Sequence, residues 1–337
     1  MKTYKAAVIG CGMISKNHFK ALKNVENAQC VTACDIRPER AQQAMELYGI
    51  PAMETDYRKV LEDENIDVVH LCLPHYLHAP IAIEALEHGK HVLCEKPMAL
   101  DPADAEAMIR ARDKSGKTLG ICLQNRYNES SRYLRELMDS GRMGRVIGAR
   151  GAVVWNRNPE YYTGSDWRGT LEKEGGSALE NQAIHTFDLL QWLTVPICTV
   201  EASCSTRRLK GVIETEDTCD VYMTGPDGER LLFYCSNCYV KNAPVELEII
   251  CEKGSVRMVG NLVATEIDGV TQTRDFTSGT VFGKDYWGSG HGFLIDDFYQ
   301  KLASGQRFPI SGEEAIVSVK LLHAVYTSAK THQPVTM

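Results

Sequence analysis

Roughly the first 120 residues alternate short apolar runs with helical patterns, and this alternation restricts the fold more than any other feature of the sequence. The apolar runs lie at residues 6–9, 29–35, 67–72, 90–94 and 118–122, and the helical patterns begin near residue 15 and continue over 38–48, 78–88 and 102–115. Strands that alternate with helices form a parallel sheet, and nearly continuous apolar runs suit strands that are covered on both faces. The pattern predicts an α/β fold that opens with a doubly wound parallel sheet of the Rossmann type.

After about residue 124 the pattern changes. Helical patterns cover residues 129–140 and 177–193, and strand-like runs occur at 145–154, 200–206, 218–223, 230–235, 245–251, 255–259 and 262–267. Turn residues such as those at 225–228 separate the later runs, which favours antiparallel pairing of neighbours. We expect one domain over residues 1–123 and a second, α+β domain over 124–337, with a large, mainly antiparallel, open-faced sheet and a last helix over 312–329.

Composition excludes several classes of protein. Hydrophobic residues make up 44% and charged residues 24% of the 337 residues, which is ordinary for a globular protein. The net charge of -7 argues against a protein that mainly binds nucleic acid, because such a surface is usually basic. No apolar run reaches the roughly 18 residues of a membrane span, so we expect no membrane partner.

The start of the chain and its cysteines favour a cytoplasmic protein. Residues 1–5 lead directly into the first apolar run, without the features of a signal peptide. The 12 cysteines are spread over the whole chain, as is usual for buried thiols that stay reduced. Cys235 and Cys238 have CxxC spacing, but no second pair stands at zinc-ligand distance, and we therefore predict no metal site.

A glycine-containing turn follows the first predicted strand and precedes the first predicted helix. Gly10 permits a tight turn, and Gly12 lets the backbone approach a pyrophosphate at the helix N-terminus. The third position of the motif is Ser15, a small residue in place of glycine. Asp35 ends the second strand, where an acid would bind the ribose 2'-hydroxyl of NAD and repel the 2'-phosphate of NADP. Arg37 keeps NADP open as the less favoured cofactor, because a guanidinium can accept a phosphate.

Lys96 follows the strand predicted at residues 90–94. Its side chain is therefore expected at the carboxyl edge of the parallel sheet, where ligands bind in open α/β folds. Pro97 restricts the backbone of Lys96 and permits a cis bond, either of which would aim the amine rigidly. A solvated surface lysine at a strand end is the alternative interpretation.

A second polar cluster lies in residues 175–188. If Ser177 opens a helix, Asn181 and His185 stand four residues apart on one face, and Asp188 follows three residues later. A dehydrogenase needs a base for the hydroxyl proton, and histidine has a suitable ordinary pKa. The alternative is a helix histidine with a structural role.

In this order and spacing, residues 10–12, 95–97 and 175–188 resemble the Gfo/Idh/MocA oxidoreductases. The resemblance covers essentially the whole chain, including residues 73–78 after the third strand. It implies that Lys96 contacts the substrate and the nicotinamide ribose, and that His185 is the acid/base. The family commonly has aspartate at the position of Asn181. Asparagine can hydrogen-bond a hydroxyl but cannot act as a base, which places proton transfer on His185 and Lys96.

The resemblance implies an NAD-dependent oxidoreductase that transfers a hydride between a hydroxyl carbon of a sugar, glycoside or polyol and nicotinamide. Two alternatives stay open. One is a redox-neutral, NAD-dependent glycoside hydrolase or lyase that acts through a transient keto sugar, and the other is an NAD-binding sensor without turnover. The resemblance also implies that the second domain binds the carbohydrate and joins a homodimer or homotetramer through its sheet.

Three sets of candidate site residues follow. The catalytic set is Lys96, His185 and Asn181. The cofactor set comprises Gly10, Gly12, Met13, Ile14, Asp35, Arg37, Leu73, Pro74, His78, Glu95, Lys96 and Gln124. The substrate set comprises Arg126, Tyr127, Arg157, Tyr161, Trp167, Arg168, Asn181, His185, Trp287 and His291. Aromatic rings suit sugar faces and arginines suit hydroxyls or carboxylates, although packing at a subunit contact explains such residues equally well.

Overall fold

The computed structural model describes residues 2–277 and 290–337. Their contacts divide them into two compact units: residues up to 124 with 290–319 form the first, and residues 125–277 with 320–337 form the second. The sequence predicted one boundary after residue 123. The structure differs for residues 290–319, because Phe298 and Phe308 pack against Gly120 in the parallel sheet of the first unit.

The described part of the first unit contains a sheet of six parallel strands in the order β3-β2-β1-β4-β5-β6. These strands are β1 (Tyr4–Ile9), β2 (Ala28–Cys34), β3 (Ala52–Glu54), β4 (Val68–Leu71), β5 (His91–Glu95) and β6 (Leu119–Cys122). This is the Rossmann strand order, with its switch point between β1 and β4. Every residue of β4 and β6 is buried, as expected for strands that are covered on both faces. The predicted doubly wound sheet is confirmed.

Among the described residues, the second unit contains a nine-stranded sheet in the order β14-β13-β12-β11-β7-β10-β9-β8-β15. Its strands are β7 (Val146–Val154), β8 (Thr199–Ser205), β9 (Thr218–Thr224), β10 (Arg230–Ser236), β11 (Glu246–Cys251), β12 (Gly254–Val259), β13 (Leu262–Ile267), β14 (Val270–Asp275) and β15 (Val335–Thr336). All neighbours pair antiparallel except β7 and β10, which are parallel. The predicted large, mainly antiparallel sheet is confirmed.

Helices cover the sheets and end at residues with clear local reasons. The helices are α1 (Ser15–Leu22), α2 (Pro38–Tyr48), α3 (Tyr57–Glu62), α4 (His78–Glu87), α5 (Pro102–Ser115), α6 (Glu129–Asp139), α7 (Pro159–Thr163), α8 (Ile184–Leu193), α9 (Gly290–Ser304) and α10 (Gly312–Thr331). Asp101 caps α5 through the Ala103 N–H, and Gly116 ends the helix in the left-handed conformation, with φ of +66°.

Alternation along β10 shows how the second sheet uses its two faces. Leu231 and Phe233 are buried, and Phe233 packs against Phe187 of α8 with ring centroids 4.9 Å apart. Leu232, between them, is 52% exposed on the opposite face. One face of the sheet therefore carries the core, and no described element of residues 2–277 and 290–337 covers Leu232 on the other. No helix in residues 2–277 or 290–337 is both long and apolar enough to cross a bilayer.

Candidate active site

The turn after β1 lies at the switch point of the parallel sheet. Gly10 has φ of +94°, and a β-carbon there would lie 2.3 Å from the carbonyl oxygen of Cys72, so only glycine fits. A β-carbon on Gly12 would meet nothing within 4 Å, which means that its backbone faces open space. Ser15 is buried and donates its hydroxyl to the Gly12 carbonyl at 2.8 Å, a contact that glycine could not make. Gly12 is partly exposed, so a pyrophosphate can approach its backbone.

Asp35 joins this turn to the end of β2. Its Oδ2 accepts the N–H of Cys11 at 2.8 Å and its Oδ1 accepts the N–H of Arg37 at 2.9 Å. The carboxylate is buried, whereas Arg37 and Met13 are exposed. The negative charge is therefore held in place beside the glycine turn, where the sequence predicted it.

Lys96 is the one partly exposed residue between Val92 and Ala99. The peptide bond between Lys96 and Pro97 is cis. Beneath it, the buried ring of His78 has Nδ1 2.7 Å from the Pro97 carbonyl oxygen and Nε2 2.9 Å from the Leu73 carbonyl oxygen. His78 thus connects the segments that follow β4 and β5. It supports the backbone instead of facing a cofactor, which corrects its predicted role.

Glu95 also differs from its predicted cofactor contact, because it points into the core. Its buried Oε1 accepts hydrogen bonds from Nε2 of His18 at 3.0 Å and Nε2 of His291 at 3.2 Å. Burial alone raises the pKa of Glu95, but the hydrogen bonds from both histidines outweigh it and hold the pKa well below its usual range. His291 is fully buried on α9, so its predicted contact with substrate is wrong.

The hydrogen bonds around Glu95 run in one direction. A carboxylate at Glu95 requires His18 to donate from Nε2, so neutral His18 accepts at Nδ1 from Nδ1 of His70, 2.8 Å away. His70 then accepts at Nε2 from the Tyr299 hydroxyl, also at 2.8 Å. Burial lowers the pKa of both His18 and His70, which keeps both rings neutral. His18, Glu95 and His291 are residue types that can ligate a metal, and their facing atoms lie within hydrogen-bond distance of Glu95 Oε1.

Replacing Tyr299 with phenylalanine is expected to destabilise the protein by about 1–3 kcal/mol, because the Nε2 of buried His70 loses its donor. The ring stacks on His70 with centroids 5.8 Å apart, and phenylalanine keeps that contact. Urea denaturation measures the change in the free energy of unfolding. Tyr48→Phe, which keeps the stacking of Tyr48 on Phe19, is the matched control. Equal stability of the Tyr299→Phe variant and the wild type would contradict the one-way chain.

The segment that carries Asn181 and His185 starts as a π-helix over Ala178–Ala183 and continues as α8. The N–H of Gln182 donates to the Ser177 carbonyl five residues earlier. The sequence predicted one α-helix from Ser177, which is wrong for the first turn. Wider π turns often occur at functional sites. From residue 176 to 190, Asn181 and His185 are the two residues that are partly exposed, and all the others are buried.

Glu174 is a site residue that the sequence analysis missed. It is fully buried, and its Oε1 accepts Nδ2 of Asn181 at 2.5 Å. Its Oε2 accepts the hydroxyl of Ser177 at 2.5 Å and the N–H of Gly169 at 2.6 Å. Burial raises the pKa of Glu174, and these three hydrogen bonds act against the rise. Glu174 lies in a loop without periodicity, so no pattern in the sequence indicated it.

A second buried carboxylate, Glu216, holds the start of the π-helix. Its oxygens accept the N–H of Ser177 at 3.3 Å, the N–H of Leu179 at 2.9 Å and the hydroxyl of Tyr326 at 3.2 Å. Burial raises the pKa of Glu216 to about 7. The Ser177 hydroxyl also contacts Thr215 Oγ1 at 2.7 Å, which joins the surroundings of both carboxylates. These polar contacts fix the start of the π-helix on its buried side.

Known proteins show which family has this arrangement. Residues 4–122 match the family model described as oxidoreductase family, NAD-binding Rossmann fold, and residues 131–257 match the GFO/IDH/MocA C-terminal domain. The WlbA dehydrogenase from Bordetella pertussis, solved in complex with NADH and UDP-GlcNAcA, is 31% identical with a TM-score of 0.87, over 100% of this chain and 99% of that chain. The chain belongs to the Gfo/Idh/MocA family.

Two curated relatives are also similar to this member of the Gfo/Idh/MocA family. Inositol 2-dehydrogenase from Salmonella typhimurium is 34% identical over 196 residues, which is 57% of this chain and 54% of the relative. That match therefore spans about half of the relative's length. D-apiose dehydrogenase from Paraburkholderia graminis is 25% identical over 100% of this chain and 90% of the relative.

Within the predicted substrate set, residues 155–170 of the Gfo/Idh/MocA chain form an aromatic and cationic cluster. The Arg168 guanidinium lies over the rings of Tyr161 and Trp167, 4.6 and 5.1 Å from their centroids, and all three residues are partly exposed. Arg157 instead is buried and donates Nε and Nη2 to Oε1 of Gln182 at 3.0 and 2.6 Å. Arg157 therefore braces the π-helix, which corrects its predicted role.

The remaining predicted ligands separate into buried and partly exposed residues. Arg126 is buried and forms a bidentate pair with Asp188, with Nε and Nη2 each 2.7 Å from a carboxylate oxygen, so its predicted substrate contact is replaced by a structural one. Gln124 is buried, whereas Tyr127 is partly exposed in the same short 3-10 helix. Trp287 lies outside the described residues.

Proposed function

We propose that this Gfo/Idh/MocA protein is an NAD-dependent dehydrogenase that acts on a hydroxyl carbon of a sugar, glycoside or polyol. One observation carries the proposal. In two otherwise buried segments, 92–99 and 176–190, the residues with partial exposure are Lys96, Asn181 and His185. These are the three polar side chains to which the family resemblance assigns the chemistry, and polar groups that emerge from a packed interior are typical of catalytic sites.

The nucleotide turn fits NAD. A side chain on Gly12 would enter the space through which a pyrophosphate approaches the backbone, and Gly10 accepts no side chain at all. The fixed carboxylate of Asp35 suits a ribose 2'-hydroxyl and opposes a 2'-phosphate. When bound, NAD supplies the two-electron redox chemistry of the reaction.

The protein's own residues supply binding and proton transfer. The Lys96 ammonium donates to the substrate hydroxyl, which positions it and favours its alkoxide form. His185 accepts the hydroxyl proton, since a neutral imidazole nitrogen is the commonest general base in enzymes. Asn181 holds a neighbouring hydroxyl. Tyr161 and Trp167 offer ring faces of the kind that pack against sugar rings.

Replacing Asp35 with asparagine is expected to lower the preference for NADH over NADPH about tenfold or more, because the charge that opposes the 2'-phosphate is lost. The amide oxygen still accepts one of the two backbone N–H groups, which preserves most of the turn. Titration of the protein with NADH and with NADPH, followed by calorimetry, measures the change without a substrate. Glu39→Gln, an exposed acid in the first turn of α2, is the control. An unchanged ratio of dissociation constants would remove Asp35 from cofactor selection.

The substrate class rests on the relatives. Their printed names include inositol and D-apiose dehydrogenases, and the WlbA dehydrogenase was solved with a nucleotide-linked sugar acid. We therefore test NAD and NADP against monosaccharides, glycosides, inositols, uronates and nucleotide-linked uronates, following the absorbance of the reduced cofactor. Reduction with one compound class supports the proposal. Product formed without net reduction of NAD or NADP indicates the redox-neutral reaction instead. No reaction with any compound of the panel contradicts dehydrogenase activity.

We also propose that the chain self-associates through the open face of the nine-stranded sheet, as a homodimer or homotetramer in the cytoplasm. Tyr222, Leu232 and Tyr234 lie on that face beside the ion pair of Arg150 with Glu248. Leu232 is 52% exposed there, and exposed apolar and aromatic side chains with a charged rim suit a contact between copies. Sedimentation analysis of the full chain tests the assembly, and a monomer at micromolar concentration contradicts it.

A further inference from the structure

We propose that Glu174 is a positioning residue that sets the orientation of the Asn181 amide and supplies the negative charge that the Asn181 side chain lacks. This inference rests on the proposed function, because that function gives Asn181 the role of binding a substrate hydroxyl. Glu174 is fully buried in the second unit and touches Asn181 at 2.5 Å. It lies seven residues before Asn181 in the chain and outside the helix that carries it.

The surroundings of Glu174 fix the direction of the hydrogen bond. Ser177 and Gly169 both donate to its Oε2, and Asn181 donates to its Oε1. A backbone N–H can only donate, so the Gly169 contact requires an acceptor at Oε2. Ionised Glu174 can only accept, which requires the Asn181 amide to present its NH2 group to Glu174.

The position of Glu174 is held from several sides. Gly169 has φ of +76°, and a β-carbon on it would lie 2.6 Å from Ile213, so the backbone that donates to Glu174 is tightly placed. Ser177 is held in turn by Thr215 at 2.7 Å. Because Asn181 is the partly exposed member of this group, the orientation imposed inside is transmitted to an accessible side chain.

The consequence for the substrate is a defined polarity. With Nδ2 directed at Glu174, the amide carbonyl oxygen occupies the opposite branch of the side chain. Asn181 therefore accepts a hydrogen bond from a substrate hydroxyl, as the aspartate that is common in this family would. Asn181 therefore keeps an acceptor facing the substrate. The negative charge, which the family's aspartate would carry at position 181, lies instead on the buried Glu174 behind it. We infer selection for a sugar with a hydroxyl donor at this point over its deoxy or O-methyl analogue.

Two exchanges of amide and carboxylate test the proposal. In Glu174→Gln, the new carbonyl oxygen still accepts from Gly169 and Ser177, while the new NH2 group faces Asn181 and forces its amide to turn. The hydrogen bond survives but Asn181 now offers a donor outward. We expect the melting temperature to stay close to that of the wild type, while kcat/KM falls about tenfold or more and discrimination against the deoxy analogue is lost.

In Asn181→Asp, two carboxylates meet at the distance of a hydrogen bond. We expect a similar loss of kcat/KM at neutral pH and partial recovery as the pH is lowered, because one proton then joins the pair. In the double variant Glu174→Gln/Asn181→Asp, the new amide at position 174 donates to the new carboxylate at position 181. The second oxygen of that carboxylate again offers an acceptor to the substrate. Its kcat/KM is expected within about threefold of the wild type, a recovery that loss of packing alone does not produce. Glu172→Gln, an exposed acid two residues earlier, is the matched control.

The outcomes separate this inference from the proposed function. If the wild type reduces NAD with a carbohydrate and Glu174→Gln is equally active and selective, the positioning role is wrong and the dehydrogenase stands. A double variant no better than the worse single variant overturns the role as well. If the wild type shows no turnover with any compound of the panel, the proposed function itself fails, and the inference falls with it.

Discussion

Alanine at position 185 is expected to lower kcat by about a hundredfold to ten-thousandfold while NADH binding stays unchanged, because a general base contributes that much to proton transfer. His185 is partly exposed at the start of α8, one position after buried Ile184, so removal of its ring leaves the packed face of the helix intact. Turnover is followed by the absorbance of NADH with the best substrate of the panel, and calorimetric titration with NADH reports on the cofactor site.

The matched control is His323→Ala, which removes an exposed histidine from α10. We expect it to keep the rate of the wild type. Lys96→Met removes the ammonium from the turn after β5 and is expected to reduce kcat as well, with a larger effect on KM because Lys96 also binds the substrate. A folded His185→Ala protein that binds NADH and turns over at the wild-type rate would falsify the assignment of the base.

Alanine at position 188 is expected to destabilise the protein by about 3–5 kcal/mol, the cost of leaving a buried charge without its counter-ion. The side chains of Arg126 and Asp188 are 5% and 1% exposed, and two guanidinium nitrogens contact the carboxylate at 2.7 Å. The Arg126 guanidinium also lies 5.2 Å from the ring centroid of Trp192. Chemical denaturation at neutral pH measures the loss.

Two further variants decide whether the ion pair itself causes that loss. Asp139→Ala removes an exposed partner of Arg135 on α6 and is expected to cost less than about 1 kcal/mol. Arg126→Met/Asp188→Leu replaces both buried charges with apolar side chains and is expected to recover most of the stability. An Asp188→Ala protein as stable as the wild type, or a double variant as unstable as the single one, would refute this explanation.

Much of the fold follows from patterns in the sequence, and the elements that escaped prediction have identifiable reasons. The strand β3 is three residues long and partly exposed, so it carries no apolar run. The sequence analysis did not predict helix α9, which begins at a glycine and contains charged residues among its apolar ones. Its buried residues nevertheless recur with helical spacing, and this spacing was a usable signal: His291, Leu294, Ile295, Phe298 and Tyr299.

Residues of the candidate site could be predicted where a single sequence motif identifies them. They could not be predicted where their role depends on partners that are distant in the sequence. Gly10, Asp35 and Lys96 follow from their places after strands. Buried and exposed polar residues look alike in sequence, which is why Arg157 and His291 were expected at a ligand. Glu174 required the fold itself, since only the packing of its loop against the π-helix brings it to Asn181.

Helix α9 packs against the parallel sheet, yet it is synthesised long after the last strand of that sheet. During synthesis, the six strands of the first sheet are available once residue 122 has emerged, and domains tend to fold in the order of their synthesis. His291 and Tyr299, which close the hydrogen-bond chain through His70, His18 and Glu95, arrive only with α9. Translation that stops before residue 290 therefore yields a Rossmann unit that lacks His291 and Tyr299, although every strand of its sheet is present.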